Sequence, residues 1–184
     1  MSMWSQSELT PWRTALHSGH IAAAPAEGVY GYVANPFSPA ALQSLLQAKN
    51  RAPGKGFIIL IQSLHQLPLF CPLLPDVCIA AIQTHWQPGA PPTTLILPAL
   101  ATLPEALLGT HATVAVRCPQ WPYMQHYLRA AGMPLVSTSL NLSGQLPAVA
   151  ASQIPAHIPA LTLPEPLSGA PSRIYNPLEN KWLR

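Results

Sequence analysis

The sequence predicts one α/β domain, of the mixed α+β kind, built on a sheet flanked by helices. The chain has 184 residues, enough to bury a core without disulfides or metals. It is 49% hydrophobic and 8% charged, against a usual charged share of about 25%, which excludes disordered chains, coiled coils and charge-laced helical arrays. Short apolar runs alternate with helical patterns, and those runs are apolar enough to be covered on both sides. No internal repeat or linker divides residues 1–184.

Taken in order, Ser7-Glu8-Leu9 with Pro11, Trp12 and Leu16 predicts a short amphipathic helix, and residues 20–24 a buried strand closed by Pro25. Ser38 is a good N-cap and Pro39 a good first helical residue; Leu42, Leu45 and Leu46 then share one face, and the helix ends near Lys49. Residues 57–61 read as a strand buried on both faces, 73–85 as a helix and 94–97 as a strand. Residues 114–116 form a short strand ending at Arg117, and 121–131 a helix with Gly132 in the C′ position. Residues 135–138 are a strand, and 173–175 the last strand but one.

Several function classes drop out. A net charge of +3 is too small for a basic nucleic-acid stripe. Residues 56–75 and 77–104 lack Asp, Glu, Lys and Arg, but prolines, glutamines and histidines interrupt both, so neither reads as a membrane span. The start shows no basic region followed by an apolar one, so no signal peptide is expected. Three cysteines without a CxxC pair suit a reduced cytoplasm. Phosphate-loop, GxGxxG, HExxH and GxSxG patterns are absent. His17 and His20 lack a third metal ligand, and six scattered acidic residues argue against a paired-carboxylate mechanism.

Three constellations remain. Lys49, Arg51 and Lys55 fall within seven residues between a helix end and a buried strand. Either Lys49 complements the helix dipole beside solvated loop charges, or the three cations face a polyphosphate. Ser137-Thr138-Ser139-Leu140-Asn141-Leu142-Ser143-Gly144 follows an apolar strand. Its hydroxyls and amides either cap their own turn or line an anion site. Arg117 ends a buried strand, where a structural ion pair and a bound anion are the two readings.

Together with Pro25-Ala-Glu27-Gly-Val-Tyr30-Gly31, Val114-Ala-Val-Arg117-x-Pro119 and Pro171-Ser172, these blocks resemble the YrdC/Sua5 family in order and spacing, from about Leu16 to Arg184. The resemblance implies an open, twisted mixed sheet with a concave, positively charged cavity. It implies a nucleotidyltransferase that makes threonylcarbamoyl-AMP and pyrophosphate from L-threonine, bicarbonate and ATP, with Mg²⁺ on the phosphates. A downstream transferase complex would use the product to modify tRNA, and direct tRNA or RNA contact is a further expectation. The alternative is a non-catalytic member that binds RNA or a nucleotide.

Carried over by motif, Lys49 and Arg51 would be catalytic. Lys49, Arg51, Lys55, Thr113, Ser139, Asn141 and Arg184 would bind ATP, and Arg117, Thr138 and Ser172 would bind threonine. Arg184 stands at the end of the chain and is open to fraying. No residue is assigned to a metal, although Glu27 either orders the turn over residues 25–31 or helps position Mg²⁺.

The chain departs from the family pattern in three places. Ala26 and Gly28 replace two hydroxyl residues around Glu27, which predicts weaker or altered amino-acid affinity. Leu140 replaces a small residue and is expected to add bulk near the nucleotide. The turn from Trp86 to Thr94 is about three residues longer than the pattern.

Overall fold

A computed structural model describes residues 3–50, 54–141 and 145–184. Along the chain run α1 (Gln6–His17), β1 (Ala22–Pro25), β2 (Tyr30–Ala34), α2 (Pro39–Lys49), β3 (Ile58–Leu60), α3 (Asp76–His85) and β4 (Thr93–Pro98). Then come α4 (Glu105–Leu108), β5 (Thr113–Arg117), α5 (Pro122–Ala131), β6 (Leu135–Ser139), β7 (Arg173–Asn176) and β8 (Lys181–Trp182). The strands form one sheet in the order β1-β2-β6-β3-β5-β4-β7-β8. Only the β3–β5 and β4–β7 pairs are parallel, so the sheet is mixed.

Local chemistry explains the helix boundaries. The Glu8 carboxylate accepts the Ser5 backbone N–H at 2.8 Å, which holds the start of α1. Ser38 Oγ accepts the Ala41 N–H at the start of α2, and Asn50 in the left-handed region stops it. Pro122 opens α5, and Gly132 with φ +70° closes it. Helix α3 begins at Asp76, later than the 73–85 pattern predicts, because Pro75 is its N-cap.

Two further expectations are corrected. The turn around Glu27 is tighter than residues 25–31: Ala26 N–H donates to Val29 O, Pro25 belongs to β1, and Tyr30 begins β2, a strand absent from the sequence reading. The run 57–61 is not covered evenly. Ile59 is fully buried, but Ile58 is only half-buried because its side of the sheet opens into a cavity.

The cross-strand registers sort the side chains. Ile59, Val116, Val136, Leu95 and Leu97 meet Ala41, Leu42, Leu45, Cys78 and Ile82 of α2 and α3 in a large apolar layer. On the other face, Trp4 just before α1, Trp12 of α1, and Tyr127 and Leu128 of α5 cover Ala22, Ala24, Val33, Leu60 and Leu135. That cover stops short of the sheet's centre, leaving the cavity.

Candidate active site

Period-two alternation aims one set of side chains into this uncovered region. Ile58 and Leu60 from β3, Thr113, Ala115 and Arg117 from β5, and Ser137 and Ser139 from β6 line a cavity of about 540 Å³. Lys55, Asn141, Ser172 and Arg184 complete its polar wall. Among the described residues, three side-chain cations therefore border the space and no Asp or Glu side chain does. Eight of the ten residues carried over by motif line it: Lys55, Thr113, Arg117, Thr138, Ser139, Asn141, Ser172 and Arg184. Thr138 alternates with Ser137 and Ser139 along β6, so it borders the cavity out of phase with them. Arg51 lies outside the described residues, as do Leu142, Ser143 and Gly144.

Lys49 stands behind the wall. It is 6% exposed at the end of α2, and its ammonium donates to Ser139 O at 2.6 Å, to Asn141 Oδ1 at 3.0 Å and to Asn141 O. Ser139 Oγ donates to Asn141 Oδ1 at 2.6 Å, and Asn141 Nδ2 donates to Gln145 O. The lysine therefore does more than face the helix dipole. A buried ammonium organises the hydroxyl-and-amide corner that borders the cavity.

For Arg117 the structure shows the ion pair that was one of its two sequence readings. Arg117 is 5% exposed, forms an ion pair with Glu27 from the β1–β2 turn, and still lines the cavity. Glu27 thus anchors the turn to β5. With five N–H donors, the guanidinium has capacity for a second anion.

Arg184 is tied down at the chain's end. Its Nε donates to Ser172 O at 2.9 Å, and its own carbonyl accepts the Ile174 N–H at 3.0 Å. Desolvation and the Arg117 guanidinium both disfavour its charge, so an anion placed between the two would relieve that repulsion. Ser172 Oγ and Thr94 Oγ1 are 3.1 Å apart.

Of the three departures, Ala26 lines the cavity as a methyl where a hydroxyl was expected. Leu140 corrects its expectation. It is buried with Ala23, Tyr30 and Ala148, away from the cavity lining, because a large aliphatic side chain gains more in that apolar cluster. The longer turn is closed by Trp86 Nε1 donating to Thr93 O. It walls a second pocket of about 280 Å³ that shares Arg117 with the first. Ser137, part of the hydroxyl-rich block but given no ligand from the sequence, also lines the main cavity, as does His111, which sequence reading missed. The alternation of Ser137 with Ser139 on β6 was the available signal for placing Ser137.

All three cysteines are buried, which disfavours their thiolates. Burial pushes the Cys71 thiol up to about 12 and the Cys118 thiol up to about 11. Their thiolate fraction at pH 7.5 is negligible, so iodoacetamide should leave both unmodified in the folded protein and label both in urea. Native labelling at a rate near that of the unfolded chain would refute this.

No helix among the described residues is long and apolar enough to cross a membrane. Relatives agree with the geometry. Threonylcarbamoyl-AMP synthase of Hydrogenovibrio crunogenus is 36% identical over 169 residues, covering 90% of this chain and 91% of that one. Threonylcarbamoyl-AMP synthase of Sodalis glossinidius is 36% identical over 176 residues, with 92% and 91% covered. Among solved structures, P. abyssi Sua5 complexed with L-threonine matches with a TM-score of 0.82 and 25% identity over 94% of this chain. The chain spans about half of that Sua5 protein, 51% of its length. E. coli YciO, at 20% identity and a TM-score of 0.77, shares the fold, with 94% of this chain and 84% of that one covered. A family model described as "Telomere recombination", for Sua5, YciO and YrdC proteins, matches residues 14–174. With the motif corner, the paired arginine and the cavity on one face of a matching sheet, this chain belongs to the Sua5/YciO/YrdC family.

Proposed function

We propose that this chain is a threonylcarbamoyl-AMP synthase, a nucleotidyltransferase that joins L-threonine, bicarbonate and ATP. The observation that carries the reading is the cavity wall, where Lys55, Arg117, Arg184 and a hydroxyl-rich corner surround one space with no Asp or Glu side chain among the described residues. Its volume of about 540 Å³ falls within the usual range for small-molecule sites.

The chemistry suits such a wall. The threonine amine and bicarbonate condense to a carbamate with loss of water. A carbamate oxygen attacks the α-phosphorus, and the bond to the bridging oxygen breaks as pyrophosphate leaves. The nucleophile comes from the substrate, so the protein's task is to hold anions together, exclude water and offset the charge on the leaving group. In this reading Lys55, Thr113, Ser139, Asn141 and Arg184 hold ATP, with Arg51 completing the phosphate site; Lys49, expected to face the phosphates, instead holds the Ser139–Asn141 corner from behind. Arg117, Thr138 and Ser172 hold threonine, and Ala26 weakens or alters that affinity.

Mg²⁺ enters as the counterion of the ATP phosphates. The donor set does not fit a resident site: no Asp or Glu side chain borders the cavity among the described residues, and Glu27 is committed to Arg117. No step is therefore routed through a protein-bound metal. A transferase complex acting on tRNA would consume the labile product.

Pyrophosphate release from ATP is expected to require threonine and bicarbonate together. ATP binding without threonine-dependent release would overturn the substrate assignment and direct the search to other amino acids. Salt-sensitive RNA binding with no ATP turnover would instead support the non-catalytic reading.

A further inference from the structure

Residues 159–161 lie along the outer edge of the sheet: Ala23 N–H donates to Pro159 O, and Leu161 N–H donates to Ala23 O at 3.0 Å. Arg173 begins β7 near the opposite edge. The strap between them is held closely at its far end: Gly169 is bonded to Gly28, Arg173 N–H donates to Pro92 O beside β4, and only three residues lie between, so there is little slack over this span and a displacement of Ala170 is passed to Ser172.

Its attachments are few. Leu163 N–H donates to Tyr30 Oη at 2.9 Å, and Leu167 N–H donates to Val149 O at 2.8 Å. Gly169 N–H donates to Gly28 O at 2.7 Å. Immediately after this bond the strap passes directly over Gly28. A Cβ on Gly28 would lie 1.8 Å from the Ala170 carbonyl oxygen and 2.6 Å from its carbon. Gly28 is not in the left-handed region, so its requirement is for space alone. Two residues past the seam, Pro171 and Ser172 line the cavity, and Ser172 O accepts the Arg184 Nε.

We infer that Gly28 is a positioning residue: the backbone seam it forms with Ala170 seats the strap and so fixes Ser172 and Arg184 at the cavity. The inference deepens the proposed function and rests on it for the identity of the ligands. Any side chain at position 28 must lift the Ala170 carbonyl. With so little slack, Ser172 moves with it and Arg184 loses its anchor.

The test compares Gly28→Ala with wild type by amide hydrogen exchange at Gly169, by calorimetric ATP affinity and by steady-state kinetics. A second variant, Thr94→Val, removes the other tether, the hydroxyl beside Ser172, while keeping the shape of Thr94. Expected for Gly28→Ala are faster exchange at Gly169, ATP binding and KM weakened about tenfold or more, and kcat changed less than about threefold, because losing one charged contact weakens binding by about that factor and uniform binding loss falls on KM. Thr94→Val should show the same KM-against-kcat split without the change at Gly169. Unchanged exchange in Gly28→Ala, or faster exchange with unchanged ATP affinity, overturns the inference. If Gly28→Ala fails to fold, Thr94→Val decides: unchanged ATP affinity there also overturns it. If wild type shows no threonine-dependent turnover, the substrate assignment fails, while exchange and ATP affinity still decide the seam.

Discussion

Replacing Lys49 with methionine is expected to lower kcat/KM for ATP by about 100-fold, because charge-assisted hydrogen bonds worth about 1.5–3 kcal/mol each are lost from the corner proposed to bind phosphate. Methionine fills much the same volume, so α2 keeps its packing. What disappears is the donor shared by Ser139 O and by Asn141 O and Oδ1. Ser139 and Asn141 then lose the geometry that aims them at the cavity. The stranded acceptors also cost stability, about 2 kcal/mol, which in a chain of this size lowers Tm by roughly 4–8 °C. Lys49→Arg should not rescue activity, since a planar fork cannot replace a compact ammonium among converging carbonyls. Activity of Lys49→Met within about threefold of wild type would show that the lysine is only a strut.

Arg117→Ala is expected to abolish measurable threonine binding and to destabilise the protein by about 3 kcal/mol, at the low end for breaking a buried ion pair. Two effects are combined there, and Glu27 separates them. The loss of stability arises because Glu27, with 19% side-chain exposure, is left without its cation. The loss of binding arises because the cavity loses the guanidinium proposed to hold the substrate carboxylate. The double variant Arg117→Ala with Glu27→Ala should therefore recover most of the denaturant midpoint and none of the threonine affinity. Glu27→Gln, which keeps the shape and frees the guanidinium from a competing charge, should retain threonine binding. Recovery of threonine affinity in the double variant would assign Arg117 to the scaffold alone.

Much of the fold was legible because it is encoded locally. Ser38-Pro39 starts α2 through bonds within one turn, and Pro122 and Gly132 bracket α5 by backbone geometry alone. β2 was hidden because Tyr30-Gly31 sits beside a turn and carries a glycine, a residue that local propensity places outside strands. The four-residue α4 lies in a proline-rich apolar stretch without room for helical periodicity.

The site divides along the same line. By itself, the sequence determined the kinds of groups available: clustered cations, a hydroxyl-rich strand end, a lone arginine on an apolar strand, and too few acids for carboxylate chemistry. Those are properties of composition and short spacing. Only the tertiary structure decided which groups meet. Lys49 reaches Ser139 across 90 positions of chain, Arg117 takes Glu27 from a distant turn, and Gly28 admits the backbone of Ala170. A period of two says that side chains alternate across a strand; it cannot say which side a helix covers and which is left open. The extent of α1 and α5 over the sheet settles that, and the uncovered remainder is the cavity.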